Sequence, residues 1–340
     1  MHQMTALICP EPKALCYSRR DVPRPAPGEA LLRVLAVGIC GTDIHAWAGN
    51  QPFFSYPRVL GHEVCGEIVE TGDNVTEFRP GQRVALIPYL ACGTCPACAG
   101  GKPNCCERIS VIGVHQDGAF CEFISVPVSN LLPVGDLNPE AAALLEPFAI
   151  SAHAVRRAAL RPGQAVLVSG AGPIGLGVAA IADADGAQVV VSDTSAERRA
   201  HVTQVLGLPA LNPMDAAFQA HLRGALGGLL PETVIDATGS PQAMNGAVTL
   251  IRHGGSVVFV GLHKGMLEIA DPEFHKREAT VMGSRNATRE DFANVSALMA
   301  AGTLHPGIML THHFQFSTLA EEFDTRVIGN RALIKGIVRF

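Results

Sequence analysis

The chain has 340 residues, 48% of them apolar and 17% charged, with a formal net charge of -5 and a pI near 6.2. That length favours two domains with sizeable cores, and the mild acidity argues against nucleic acid or an anionic membrane as a partner, since both select for basic surfaces. No apolar run reaches the roughly 18 residues that span a bilayer, and the opening MHQMTALICPEPK has neither the basic start nor the long apolar stretch of a secretory signal, so a cytoplasmic protein is expected.

Residues 5–8 and 29–37 read as short strands, separated by the loop PRPAPG, whose prolines forbid helix. Further strands are expected at 64–70, at 83–87 after the Pro80-Gly81 turn, and at 120–126. Many short strands with Gly/Pro turns point to a small barrel or sandwich. Within this module, the stretch from Gly38 to Gly66 places Cys40 on one glycine-bracketed turn and His62 with Glu63 on another. Thiolate, imidazole and carboxylate brought together suit zinc, and three protein ligands with the fourth place left to water or substrate is the pattern of a catalytic site.

Ten cysteines in a secreted domain would suggest disulfides, but here five of them crowd into CGTCPACAGGKPNCC, four at two-residue and seven-residue gaps. Cys92, Cys95, Cys98 and Cys106 fall at C-x2-C-x2-C-x7-C, a spacing able to close a tetrahedron around a second, structural zinc. Cys105 could exchange roles with Cys106; Cys106 is preferred because adjacent residues do not both easily point at one metal. Cys9, Cys16, Cys65 and Cys121 read as packing residues.

Asn138-Pro139-Glu140 is a helix start, with a capping side chain, proline in the first turn and an acid near the positive end of the dipole. Pro147 should kink or restart that helix. Glu146, in the apolar context LLEPF, is expected to be a ligand or to face a pocket, because apolar neighbours penalise an unpaired charge.

An apolar strand at 165–169 then leads into Gly170, Gly172 and Gly175, with Pro173 and Ile174 between the last two, followed by an Ala-rich helix and a strand at 188–192 that ends on Asp193. Strand, G-x-G-x-x-G turn, helix and an acid about 20 residues on form a dinucleotide-binding pattern. The glycines let a pyrophosphate approach the helix N-terminus, while Asp193 can accept from ribose hydroxyls and would repel a 2′-phosphate, which favours NAD over NADP. Arg198 could serve a phosphate or stack on adenine. Helices near 196–206 and 241–251 alternate with apolar strands at 233–237 and 256–260, the signature of a doubly wound parallel sheet. Ligands bind at the carboxyl ends of such strands, so Thr238, Gly239 and Gly261 should line the cofactor cleft. After a strand at 279–283, Thr288 or its neighbours should cap a helix to about 301, and an apolar strand at 332–339 closes the chain. Residues 1–146 with 286–340 are expected to form one domain, and 147–285 the other.

A metal motif, a four-cysteine lobe and a dinucleotide turn in this order resemble the zinc-dependent medium-chain dehydrogenases over the whole chain, most specifically in GHEVCGEIVETGDNV, the lobe and the Gly170 to Gly175 turn. The resemblance implies an α/β protein in which a Rossmann doubly wound domain joins a GroES-like, mostly β catalytic domain. At finer grain, GICGTDIHAWAGNQPFFSYPRVLGHE, SVIGVHQDGAF, EPFAISAHAVRRAA and DPEFHKREATVMGSRNAT are similar to the bacterial branch that oxidises L-galactonate at C5 to D-tagaturonate, with sorbitol and threonine dehydrogenases more distant.

By that resemblance Cys40, His62 and Glu63 are the catalytic zinc ligands, and Glu146 approaches the metal directly or through water. Asp43 is the acid that orients the ligand histidine, and Thr42 and His45 form the relay that carries the substrate proton to solvent. Ala46 stands where sorbitol dehydrogenases place a substrate-touching Tyr, which weighs against a sorbitol pocket. A sugar acid needs a partner for its carboxylate, for which Arg285, His115 and Arg58 are candidates, with Gln51 and Asn286 as hydroxyl partners. Two zinc ions per chain and NAD are implied, as is a dimer or tetramer joined at the nucleotide sheet edge near 256–260. The alternatives are L-gulonate, a neutral polyol or threonine as substrate, or a non-catalytic zinc and NAD binding protein.

Overall fold

The proline-broken opening cannot form helix, and it folds as β1 (Gln3–Cys9) and β2 (Cys16–Asp21), which pair antiparallel. In the computed structural model, which describes residues 3–51 and 54–340, β4 (Arg58–Val59) extends this pair into a three-stranded sheet. Pro52 and Phe53, within one of the similar stretches, lie outside the described residues, as do Met1 and His2. Two units are distinguished. The first comprises Met1–Glu146, Thr288–Gly302 and Leu310–Phe340, and the second comprises Pro147–Ala287 and Thr303–Met309. Among the described residues no helix is long and apolar enough to cross a membrane.

The first unit is built around β3 (Glu29–Ile39), whose EALLRVLAVGI is buried at most positions. Its sheet runs β10 (Leu131–Pro133), β6 (Arg83–Leu86), β5 (Glu63–Thr71), β3, β18 (Lys335–Arg339) and β17 (Leu310–Gln315), with β9 (Phe123–Pro127) also paired to β3. Leu32, Val34, Val37, Ile68, Leu86, Phe120, Phe314 and Phe323 form its core, and burying each such side chain stabilises by about 1.5–3 kcal/mol. The register decides what gathers at one end of β3. Gly38 faces Glu63 on β5, and Ile39 faces Gly336 on β18. The residues just past these pairs, Cys40, His62 and Lys335, are thereby brought to one place. Gly38 is required there, because a Cβ would lie 1.8 Å from Glu63 Oε2. A small hairpin of β7 (Tyr89–Leu90) and β8 (Ser110–Val111) has the cysteine lobe as its connection.

The second unit is a six-stranded sheet in the order β13 (Ala210–Leu211), β12 (Gln188–Ser192), β11 (Ala165–Ser169), β14 (Thr233–Asp236), β15 (Ser256–Phe259), β16 (Thr280–Gly283). Every pairing is parallel. The runs QVVVS and TVID are buried on both faces, as strands covered by crossover helices must be. Chain order reverses direction between β11 and β14, the switch point at which such sheets bind ligands.

Several expectations need correction. The helix break falls at Leu144, between α3 (Pro139–Ala143) and α4 (Leu145–Ala158), so Pro147 sits in the first turn of α4, where its missing N–H costs nothing. The strand expected at 120–126 starts only at Phe123, because 118–120 hydrogen-bond instead to 59–61. The helix expected at 241–251 is α8 (Pro241–Gly246) followed by a 3-10 turn to Leu250. Residues 303–309 pack with the nucleotide unit, where His201 Nε2 meets Ile308 O at 2.9 Å. Finally, β15 is internal to its sheet, and the edge belongs to β16.

Candidate active site

Cys40 ends β3 and precedes the short helix α1 (Gly41–Trp47). The Asp43 carboxylate turns back so that Oδ2 accepts from Cys40 N (2.8 Å), while Oδ1 accepts from Gly61 N (3.0 Å). One fully buried side chain therefore ties the turn carrying Cys40 to the turn carrying His62. His62 Nδ1 lies 4.0 Å from Asp43 Oδ1, beyond hydrogen-bond length. Asp43 thus acts on His62 through charge and through the backbone it fixes. The ligand atoms of Cys40, His62 and Glu63 all lie within 4.8 Å of one another.

Two residues that the sequence did not single out complete this cluster. Lys335 Nζ donates to Glu63 Oε1 (2.5 Å) and to Ile39 O (3.1 Å), and the Tyr89 hydroxyl donates to Glu146 Oε1. Glu146 stands outside the three-ligand group but beside it, facing His62, Glu63 and Lys335 electrostatically. Among the described residues, the second oxygen of each glutamate, like His62 Nδ1, is buried without a hydrogen-bond partner. Orphaned buried acceptors are costly, and these converge with a thiol and an imidazole.

Burial pushes Asp43 above the usual carboxylate range and Glu146 up to about 7. Burial opposes charge on His62, yet Cys40 first, then Asp43 and Glu146, hold its pKa well above the ordinary value. The site carries a surplus of acidic groups in a low dielectric, and the donor set of S, N and O is one that zinc accepts. The residues present fit that metal.

Thr42 and His45 lie three residues apart on α1, spacing that puts them on one helix face. Thr42 is half-buried, and His45 is exposed with Nδ1 2.9 Å from Asn50 Oδ1. Ala46 is fully buried and belongs to the core of the first unit.

In the lobe, the four sulfurs of Cys92, Cys95, Cys98 and Cys106 lie within 4.8 Å of one another, and Cys105 is exposed outside the group. Cys106 Sγ accepts from Cys92 N (3.2 Å) and Arg108 N (3.3 Å). The Thr94 backbone N–H and then Arg108 bring Cys92 down to about 5, whereas burial and then Cys95 push Cys98 up to about 12. Four thiolates cannot all carry charge at this distance without a cation among them.

The substrate candidates scatter more widely. Arg58 Nη2 donates to Ser55 Oγ (2.8 Å) and Nη1 lies 3.7 Å from Asp117 Oδ1, so its guanidinium already serves its own loop. His115 is exposed, with Nδ1 accepting from Val111 N (3.0 Å), a loop-holding role. Gln51 is half-buried, and among the described residues its Oε1 has no partner. Arg285 and Asn286 follow β16 at the carboxyl end of the nucleotide sheet, Asn286 at φ 54°.

The glycine turn is built as its spacing requires. Gly170 has φ 96°, Gly172 precedes α5 (Pro173–Ala184), and a Cβ on Gly175 would lie 1.8 Å from Gly170 O. Pro173 and Ile174 form the first turn of that helix, whose leading N–H groups have no partner within it and are open to a ligand. Asp193 Oδ2 accepts from Ala171 N and Oδ1 from Ser195 N, both at 2.8 Å, and Arg198 Nη1 lies 3.9 Å from Asp193 Oδ2. Arg198 and Asp193 thus face each other as a loose ion pair. Buried Asp236 accepts from Thr238 N (3.0 Å) and Gly239 N (3.3 Å), and a Cβ on Gly261 would lie 2.2 Å from Gly239 N. The loops after β14 and β15 are therefore packed backbone to backbone.

Two family profiles match the chain: the alcohol dehydrogenase GroES-like domain over residues 26–136 and the zinc-binding dehydrogenase domain over 173–301. The chain is 63% identical, over the full length of both, to the L-galactonate-5-dehydrogenase of Escherichia coli K12. It is 33% identical to the 2-dehydro-3-deoxy-L-galactonate 5-dehydrogenase of Pseudoalteromonas atlantica, over 82% of each chain. The crystal structure of the RspB alcohol dehydrogenase of Escherichia coli CFT073 with NADH matches with a TM-score of 0.93 and 31% identity, over 99% of each chain. Family profile, relatives and fold agree that this chain belongs to the zinc-type medium-chain dehydrogenases.

Proposed function

We propose that this enzyme oxidises a secondary hydroxyl of a sugar acid, L-galactonate at C5 to D-tagaturonate, with zinc and NAD. The observation that carries the reading is the 63% identity to L-galactonate-5-dehydrogenase along the whole of both chains. Clustering of Cys40, His62 and Glu63 supports it independently of any relative's name.

Cys40, His62 and Glu63 would hold the catalytic zinc with Glu146 beside it, and Cys92, Cys95, Cys98 and Cys106 a second, structural ion. The turn from Gly170 to Gly175, with Pro173 and Ile174 opening its helix, would take the cofactor pyrophosphate. Asp193 would accept from the adenosine ribose, and Arg198, Thr238, Gly239 and Gly261 would border the nucleotide. When bound, the zinc would supply Lewis-acid polarisation of the hydroxyl, and the nicotinamide would accept the hydride from the carbon that bears it.

The chain's own share is proton handling and orientation. Thr42, half-buried, takes the hydroxyl proton toward exposed His45, which passes it to water. Asp43 keeps the ligand turns in register. Arg285 is the best chemical match for the substrate carboxylate because a guanidinium can engage it bidentately, with Asn286 and Gln51 for hydroxyls. Arg58 and His115, both engaged in their own loops, are weaker candidates. A cytoplasmic homo-oligomer completes the reading.

Initial rates of NADH formation with zinc-loaded protein test it, comparing L-galactonate with L-gulonate and sorbitol. A preference for L-galactonate of about a hundredfold is expected, since sorbitol lacks the carboxylate that Arg285 would engage and L-gulonate inverts a hydroxyl that the site would have to pair. Comparable turnover of sorbitol would overturn the substrate assignment.

A further inference from the structure

We propose that Tyr89 is a positioning residue for the reaction: its hydroxyl fixes one oxygen of Glu146 so that the other is presented to the metal-binding cluster. The proposal rests on the reading of Cys40, His62, Glu63 and Glu146 as a zinc site. Its foundation is geometric. The Tyr89 hydroxyl donates to Glu146 Oε1, while Glu146 Oε2 is buried without a partner. A buried carboxylate with one oxygen satisfied and one orphaned is costly unless something else occupies the second.

The phenol is itself held from several directions. Tyr89 pairs with Val111 across the β7–β8 hairpin, and its carbonyl accepts from Asn130 Nδ2 (3.1 Å). Its ring meets the fully buried ring of Phe292 edge-on, with centroids 6.4 Å apart and planes at 68°. A side chain locked in this way offers its hydroxyl in one place only. Glu146, in the first turn of α4, therefore has its rotamer chosen for it.

The type of donor matters as much as its place. Glu63 receives the ammonium of Lys335, which brings a full positive charge. Glu146 receives a neutral phenol, which satisfies an oxygen and brings none. The two carboxylates, Glu63 within the cluster and Glu146 beside it, are thus treated differently. Glu63 is paired directly with a cation of the protein, whereas Glu146 has only the longer-range charges of His62 and Lys335 and is oriented with one oxygen left for whatever binds, a divalent cation or a hydroxyl it polarises. Outer partners of this kind commonly alter metal affinity or activity about 10–100-fold when removed.

Tyr89→Phe keeps the ring and its contact with Phe292 while removing the donor. The expected result is a rate of zinc loss from the Cys40 cluster to a competing chelator about tenfold faster, and a changed visible spectrum after cobalt substitution at that site. The kcat should fall about 10–100-fold with KM changed little. The same substitution in a Glu146→Ala background should alter none of these by more than about twofold, because the partner through which Tyr89 acts is gone. Unchanged metal loss and unchanged spectrum in the single variant would overturn the proposal, as would effects that add in full on top of Glu146→Ala. The metal readouts need no substrate, so a wrong substrate assignment would leave them standing and would show only as absent turnover in the unaltered enzyme.

Discussion

At the scale of single residues, the cluster of Cys40, His62 and Glu63 is braced by two side chains from distant parts of the chain, Tyr89 through Glu146 and Lys335 through Glu63. Cys40, His62, Glu63 and the four lobe cysteines declare themselves by residue type and spacing. Lys335 lies 272 positions from Glu63, in a terminal strand that reads only as apolar, and it arrives because β18 pairs with β3. Tyr89 is one tyrosine beside a proline in LIPYLAC, with nothing in its neighbours to mark it. The Lys335–Glu63 pair is almost wholly buried, and removing one member of such a pair leaves a charge in low dielectric at a cost of about 3–5 kcal/mol. Lys335→Met should therefore lower the urea midpoint of metal-free protein markedly. With zinc bound, a divalent cation supplies much of the missing counter-charge, so the loss should shrink. Lys335→Arg, which keeps the charge, should lose less in both conditions. Equal losses with and without zinc would mean that Glu63 does not face the metal.

At the scale of elements, the dinucleotide turn was readable because strand, turn and helix are contiguous, and the structure adds why no other residue fits at Gly175. Its absent side chain lets the Gly170 carbonyl approach to where a Cβ would stand at 1.8 Å. Gly175→Ala must push the turn away from the helix start, moving the N–H groups that would meet the pyrophosphate. NADH affinity, followed by quenching of protein fluorescence or by calorimetry, should fall at least about tenfold, roughly 1.4 kcal/mol, with zinc content unchanged. Retention of full affinity would show that the pyrophosphate is held elsewhere. Elements that escaped the sequence have physical reasons. α1 begins on Gly41 and spans only seven residues, too short for periodicity to show. β17 reads LTHHFQ, without alternation, and is recruited by its parallel partner β18. Pro147 looked like a helix breaker in mid-pattern; with the break at Leu144 it became a first-turn proline.

At the scale of the whole molecule, the sheet edges decide what the sequence could not. A strand edge with unpaired N–H and C=O groups invites another strand, and proteins blunt edges with short length, charge, polar side chains or proline. Among the described residues nearly every edge here is blunted. β2 carries Arg19, Arg20 and Asp21, β4 and β13 are two residues long, β10 ends in Pro133, and β17 presents His312, His313 and Gln315. β16 is the exception. Its TVMG has neither charge nor proline, pairs only with β15, and leaves Val281 and Met282 half-buried. The same unit exposes Leu262 and Met266 at 70% and 91%. A strand of this kind on the surface of a monomer is an aggregation hazard, whereas an antiparallel meeting of two β16 strands about a two-fold axis removes it. The protein should therefore sediment as a dimer or larger at micromolar concentration. Val281→Lys, which places a charge on that edge, should shift it toward monomer with the nucleotide sheet still folded by circular dichroism. A monomeric parent protein would remove the argument, and an unshifted Val281→Lys variant would move the interface to another surface.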